Sequence, residues 1–303
     1  MLFRRASRAV PLALLTACCS AAAQAGAQGD ARATFRVGVD TVFVQVSVSD
    51  ASNRFVDNLA KENFRVFEDS VEQTLTHFNQ ESAPVSAGVL LDTSRSMKQN
   101  FRLSRESVIR FLEPDNPEDE FFVISFNQRC RLLHDFTRDP ASVRKAVLSI
   151  RPQGRTAFFD AVSMGIEQMR NGRNPKRALI LITDGEDNSS RHSAAEAREL
   201  ARESRAQIYA IGESKGLASG RSEIQALADL TGGRAYFPES LSDLDTYIEL
   251  IRAELSHQYV LGYVPVVKPT DGEWRRIEVR LRGLEEVSKF VVRASQGYYA
   301  SRK

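Results

Sequence analysis

An aspartate and two serines in alternation, Asp92, Ser94 and Ser96, follow directly on the apolar run Val89-Leu90-Leu91. Such a run reads as a buried strand, and in a tight turn leaving it alternate side chains converge on one point. One carboxylate and two hydroxyls are hard oxygen donors, a set that suits Mg²⁺, Mn²⁺ or Ca²⁺ and not zinc. Two further pieces share this character. Gly154-Arg155-Thr156 supplies a loop hydroxyl, and the apolar run 179–182 leads through Thr183 to Asp184 and Gly185. Taken singly, each of these residues reads as a turn or cap former. Together, in order and each in a loop or at a predicted strand end, they read as a metal site. Glu186, Asp187 and Asn188 follow directly and read as a solvated acidic loop, with an auxiliary calcium position as the alternative.

The elements that must position these residues alternate along the chain. Strands are predicted over 86–91, 121–126, 178–183, 207–211 and 235–237. Helices are predicted over 101–112, stopped by Pro114, and over 158–169, 193–204, 222–230 and 241–255. This order implies an α/β fold: a doubly wound, mostly parallel sheet with helices on both faces, spanning residues 85–255. Before it, Val42, Val44, Val46 and Val48 alternate with other residues, the period of a strand with one buried face. Residues 64–67 alternate again, so 34–84 reads as a small β unit. After it, strands are predicted over 259–264, 276–281 and 290–294, with Asp271-Gly272 marking a hairpin between the first two. Neither flank is long enough to bury a good core alone. Residues 34–84 and 257–300 are therefore expected to pair into one β-sandwich-like unit.

The turn at Asp92, the distant threonine and the distant aspartate resemble the metal-ion-dependent adhesion site of the von Willebrand factor type A (vWA) domain. All five positions of that pattern match: Asp92, Ser94, Ser96, Thr156 and Asp184. The resemblance implies a vWA, Rossmann-like fold and no catalysis. In such domains the hydroxyls of Ser94, Ser96 and Thr156 contact the cation directly, and Asp92 and Asp184 act directly or through water. The cation, Mg²⁺ or else Mn²⁺ or Ca²⁺, keeps one open position for an Asp or Glu of a protein or surface partner. Two residues depart from the family pattern, which places Gly where this chain has Arg95 and Arg155. Their side chains either point to solvent or form a rim that attracts the partner's carboxylate. The flanks, through residues 64–69 and 296–299, resemble those of secreted bacterial "VWFA-related" proteins.

A net charge of +2 gives no case for a nucleic-acid partner. The first eight residues carry three arginines, and residues 9–15 form a short apolar core, so the N-terminus reads as an export signal. Two cleavage readings fit. Ala23-Gln24-Ala25 suits ordinary cleavage after residue 25. Leu15-Thr16-Ala17-Cys18 resembles a lipobox, in which cleavage follows residue 17 and lipidated Cys18 anchors the chain to a membrane. The expected location is the periplasm, the outer membrane or the exterior of a bacterium. Ordinary cleavage leaves Cys130 as the lone cysteine, which excludes an intramolecular disulfide.

Rival readings are weaker. Gly212-Glu213-Ser214-Lys215-Gly216 matches the esterase pattern G-x-S-x-G, with Asp243 or Asp245 and then His257 in the usual order. That elbow needs a helix directly after its serine, and residues 216–220 read as a loop. A phosphatase of the haloacid dehalogenase type needs a second aspartate where this chain has Ser94. The four histidines have no zinc-site spacing. A structural scaffold with an unused metal site is the remaining alternative.

Overall fold

Continuous apolar runs dictate the central layer. β5 (Val85–Asp92), β6 (Glu120–Phe126), β8 (Lys176–Thr183) and β9 (Gln207–Gly212) are buried almost end to end, as parallel strands covered on both faces must be. With β7 (Cys130–Thr137) and β10 (Ala235–Tyr236) at the edges they form a six-stranded sheet in the order β10-β9-β8-β5-β6-β7. Its ladders are parallel apart from β6–β7. The structure, a computed structural model, describes residues 41–80, 83–212, 218–267, 272–284 and 287–300. The export signal with Cys18, the serine Ser214 and the turn residue Asp271 lie outside the described residues.

Successive side chains of each central strand feed two separate cores. Ala87, Val89 and Leu91 pack with α1 (Phe101–Phe111), α2 (Pro140–Leu148) and α6 (Leu244–Ser256). Leu90 and its neighbours Phe122 and Ile124 pack with α3 (Phe158–Met169), α4 (Ala194–Glu203) and α5 (Ala218–Thr231). The helix starts are locally encoded. Ser193 and Glu196 form a reciprocal cap at α4, and Asp139 accepts from the N–H of Ala141 ahead of Pro140 at α2.

The flanking segments interleave in two antiparallel sheets. One has the order β13-β1-β11-β4, built from β1 (Val42–Asp50), β4 (Leu75–Asn79), β11 (Tyr259–Tyr263) and β13 (Phe290–Ala294). The other has the order β14-β12-β2-β3, from β2 (Phe64–Glu68), β3 (Val71–Gln73), β12 (Trp274–Leu281) and β14 (Gly297–Tyr299). Val44, Val46, Leu261, Phe64, Val66 and Ile277 share one core between them. Each sheet takes strands from both ends of the chain, so neither flank closes a core without the other.

The structure departs from the reading of the chain alone at four places. β11 and β12 are not a hairpin: β11 pairs with β1 and β4, whereas β12 pairs with β2 and β14. The local turn signal at residues 271–272 yields to the pairing of Ile277 and Leu281 with the apolar face of β2. Second, β1 is buried on both faces: Gln45, Ser47 and Ser49 are buried like the valines, and Gln45 and Ser47 bond to the α/β layer. Gln45 Oε1 accepts from the N–H of Arg177 at 3.0 Å, and Ser47 donates to buried Glu254 at 2.7 Å. Third, β7 and α2 occupy a stretch whose periodicity is silent, since β7 is an edge strand with exposed positions on both faces. Fourth, α5 begins at Ala218 rather than at residue 222. Gly220 permits this, because a Cβ there would stand 1.9 Å from the carbonyl oxygen of Gly185.

Candidate metal centre

β5 delivers Asp92 to the carboxyl end of the central sheet, the edge where open α/β sheets bind ligands. Its side chain is 0% exposed. Oδ1 accepts from the N–H of Ser94 at 2.8 Å, and Oδ2 accepts from the hydroxyl of Thr183, the last residue of β8, at 2.7 Å. That hydroxyl in turn accepts from the N–H of Gly185 at 3.1 Å. The chain then turns through Arg95 into a short 3-10 helix, Ser96–Gln99, pinned by buried Met97. This turn brings the hydroxyls of Ser94 and Ser96 to 2.9 Å of each other.

Backbone bonds tie the other two pieces to this turn. The N–H of Gln153 donates to the carbonyl of Thr93 at 2.7 Å, and that of Arg95 to the carbonyl of Gly154 at 3.0 Å. Gly154 has φ +83°, and a Cβ there would overlap the side chain of Gln128, so glycine is required. Gln128 Oε1 also accepts from the N–H of Arg155 at 3.0 Å. Buried Thr156 donates its N–H to Asn188 Oδ1 at 2.9 Å and accepts from the N–H of Asn188 at 3.0 Å. Asp184, also buried, accepts from the N–H of Glu186 at 3.2 Å. The Asp92 turn, the Thr156 loop and the Asp184 loop are thus hydrogen-bonded into one edge.

The electrostatics of this edge are unusual. Burial pushes the Asp92 carboxyl up to about 7, and the negative charge of Asp184 pushes in the same direction against the hydrogen bonds from Ser94 and Thr183. No Lys or Arg side chain pairs with either aspartate among the described residues. A donor set of two carboxylates and three hydroxyls suits a hard divalent cation. No group of three or more His, Cys, Asp and Glu side chains placed to hold a metal occurs among the described residues. The Ser94 hydroxyl, 2.9 Å from that of Ser96, stands two residues beyond Asp92 at this edge.

The 186–188 segment is partly exposed, as a solvated loop is, and two of its side chains also tie it to neighbouring loops. Asp187 accepts from the N–H of Phe158 at 2.8 Å, which caps α3, and from Ser190 Oγ at 2.6 Å. Asn188 clamps Thr156. Arg155 is exposed and donates to the carbonyl of Asn188, while the exposed Arg95 guanidinium has no partner among the described residues. Three positioning residues escape a reading of the chain alone: Thr183, Asn188 and Gln128. Of these only Thr183 carries a signal, as a hydroxyl directly before Asp184 at the end of an apolar strand.

Of the esterase pattern, the described residues place the glycine-side and histidine-side ends apart: Gln258, directly after His257, donates to Gln207 at the start of β9, whereas Gly212 closes the other end of that strand. Five strand steps separate the two ends by ~17 Å. Asp245 is held by Ser107 and Arg110.

Residues 89–186 match the sequence profile of the von Willebrand factor type A domain. An uncharacterized protein of Synechocystis is 25% identical over 108 residues, which cover 34% of this chain and 26% of that protein. The match thus spans about a quarter of the relative's length. Among solved structures, a von Willebrand factor type A protein from Catenulispora acidiphila superimposes with a TM-score of 0.51 at 13% identity, over 87% of this chain and 74% of that one. Proximal thread matrix protein 1 from the mussel byssus gives a TM-score of 0.48 at 21% identity, over 57% of this chain and 48% of that one. The profile match falls on the segment that holds Asp92, Ser94, Ser96, Thr156 and Asp184, and the structural likeness extends over the fold around it. The chain carries a von Willebrand factor type A domain, with antiparallel sheets built from the segments on either side of it.

Proposed function

We propose that this chain is an exported, metal-dependent binding protein. Asp92, Ser94, Ser96, Thr156 and Asp184 hold one divalent cation, Mg²⁺ with Mn²⁺ or Ca²⁺ as substitutes. An Asp or Glu on a protein or surface partner completes the coordination. The observation that carries this reading is the pair of buried carboxylates, Asp92 and Asp184, which no Lys or Arg side chain neutralises among the described residues. Burying such charge is costly unless a cation offsets it.

The bound cation supplies positive charge and one exchangeable coordination position. The protein's residues do the rest. Thr183 and the N–H of Ser94 fix the direction of the Asp92 oxygens. The Ser94 and Ser96 hydroxyls add donors without adding negative charge, so an incoming carboxylate meets little repulsion. Arg95 and Arg155 stand at the rim of the same loops and favour an anionic partner. Such a site binds rather than turns over.

The same reading assigns residues 1–25 to a signal peptide, or 1–17 if Cys18 is lipidated, which would be the chain's membrane contact. No described helix is long and apolar enough to cross a membrane. Residues 34–84 and 257–300 then form a β unit beside the 85–255 domain. The test is thermal unfolding of the full chain with excess Mg²⁺ or EDTA, beside Ser94→Ala. We expect Mg²⁺ to raise Tm by several degrees in the parent and not in the variant. An equal rise in both, or none in the parent, would contradict the reading.

A further inference from the structure

Beside the metal edge lies a second feature that the five site residues do not use. A crevice of ≈ 470 Å³ opens between the Asp92 turn, the β6–β7 connection and the end of α2. Thr93, Arg129, Arg131, Ser149, Arg151 and Gln153 line it, with Leu133 and Ile150 beneath, and no Asp or Glu contributes. Arg129, Arg131 and Arg151 are exposed, and none has a carboxylate partner among the described residues. Elsewhere on the surface, Arg102, Arg110, Arg138, Arg198 and Arg280 each face an acidic side chain. Three unpaired guanidinium groups around one concavity repel each other, and a bound anion relieves that repulsion.

The strand register gives the crevice a fixed distance from the metal residues. Arg131 pairs with Ser125, and Ser125 pairs with Leu91, the residue before Asp92. Two strand spacings separate Arg131 from Leu91, ~10 Å. An extended peptide advances ~3.3 Å per residue, so three residues cover that span. The crevice opens at the same sheet edge as the Asp92 turn, since the backbone of Thr93 is bonded to that of Gln153.

We propose that the partner presents two acidic residues about three positions apart on an extended segment. The first occupies the metal position and the second lies in the Arg129–Arg131–Arg151 crevice, where guanidinium groups bind carboxylates through paired hydrogen bonds. This inference rests on the metal-dependent reading above and narrows its partner from any exposed carboxylate to a diacidic protein segment.

The experiment uses the full chain and two synthetic peptides of Gly, Ser and Asn, one holding a single Asp and the other an Asp followed three residues later by a Glu. Affinities are measured by NMR titration in Mg²⁺ and in EDTA, for the parent and for the double variant Arg131→Ala, Arg151→Ala. The expected result is Mg²⁺-dependent binding of both peptides, with the diacidic one about tenfold tighter. That advantage disappears in the double variant while the single-Asp affinity stays unchanged. Mg²⁺-dependent binding with no diacidic advantage, or an advantage that survives in the variant, overturns the crevice and leaves the metal reading standing. Absence of any Mg²⁺-dependent binding overturns both. A sulfated oligosaccharide that binds in EDTA more tightly than either peptide, and loses that binding in the variant, assigns the crevice to a different class of ligand and also overturns the proposal.

Discussion

Replacing Asp92 by asparagine should make the metal-free protein more stable and the metal-bound protein unattainable. The Asp92 carboxyl is raised from 3.8 to about 7, chiefly by burial. A folded-state value above the unfolded one means that the fold favours the protonated form. The stability of the parent is thus fully present below pH ~4 and declines as pH rises toward 7 and beyond. At pH 8.5 the burial of the ionised group costs about 4 kcal/mol, and at pH 5 about 2 kcal/mol. Asparagine bears no charge and keeps an acceptor for the N–H of Ser94. Its amide donates where the carboxylate accepted from Thr183, a mismatch that costs about 1 kcal/mol. In EDTA at pH 8.5, Asp92→Asn should therefore exceed the parent by about 2–3 kcal/mol, and the advantage should shrink by a similar amount at pH 5. Urea denaturation at the two pH values measures this directly. With excess Mg²⁺ the order should reverse, because only the parent gains binding energy. A variant less stable than the parent at pH 8.5 in EDTA, or a difference that does not change with pH, would refute the electrostatic argument.

Three further outcomes follow from the rest of the molecule. Lys176 is buried, donates to the carbonyl of Leu255 at 2.9 Å, and is pulled down by burial to about 8; because its folded value lies below the unfolded one, parent stability should rise between pH 8 and 10.5 relative to Lys176→Met, by about 3 kcal/mol in paired urea titrations. Ser47→Ala removes the donor to buried Glu254 between β1 and α6, and should lower stability by about 1–3 kcal/mol in denaturant melts. Burial raises the Cys130 thiol to about 12, so iodoacetamide at pH 7.5 should label it far more slowly than a denatured control.

The legible part of this fold was what local pattern determines. Continuous apolar runs marked β5, β6, β8 and β9 because both of their faces are covered, and the residue types in the turns leaving β5 and β8 marked Asp92 and Asp184. Thr183 and Asn188 stayed hidden because their roles arise from approach in space: Thr183 meets Asp92 across 91 residues of chain. The polar face of β1 was misread for a similar reason. Gln45 and Ser47 are ordinary solvent-facing types, and only the α/β layer packed over them buries them. The Asp271-Gly272 signal failed in the opposite direction, since a local turn preference of a few tenths of a kcal/mol per residue yields to the choice of strand partner. The arginine crevice combines both cases, with residues easy to list and a concavity created only by the β6–β7 turn and the end of α2.

Asp92, Ser94, Ser96, Thr156 and Asp184 are proposed to hold one divalent cation. Calorimetric titration of the EDTA-stripped full chain with Mg²⁺, Mn²⁺ and Ca²⁺, beside Thr156→Val, tests it most directly. The account predicts saturable binding to one site per chain in the parent, weakened at least tenfold in the variant. Equal binding by parent and variant, or no binding of any of the three ions by the parent, would contradict it.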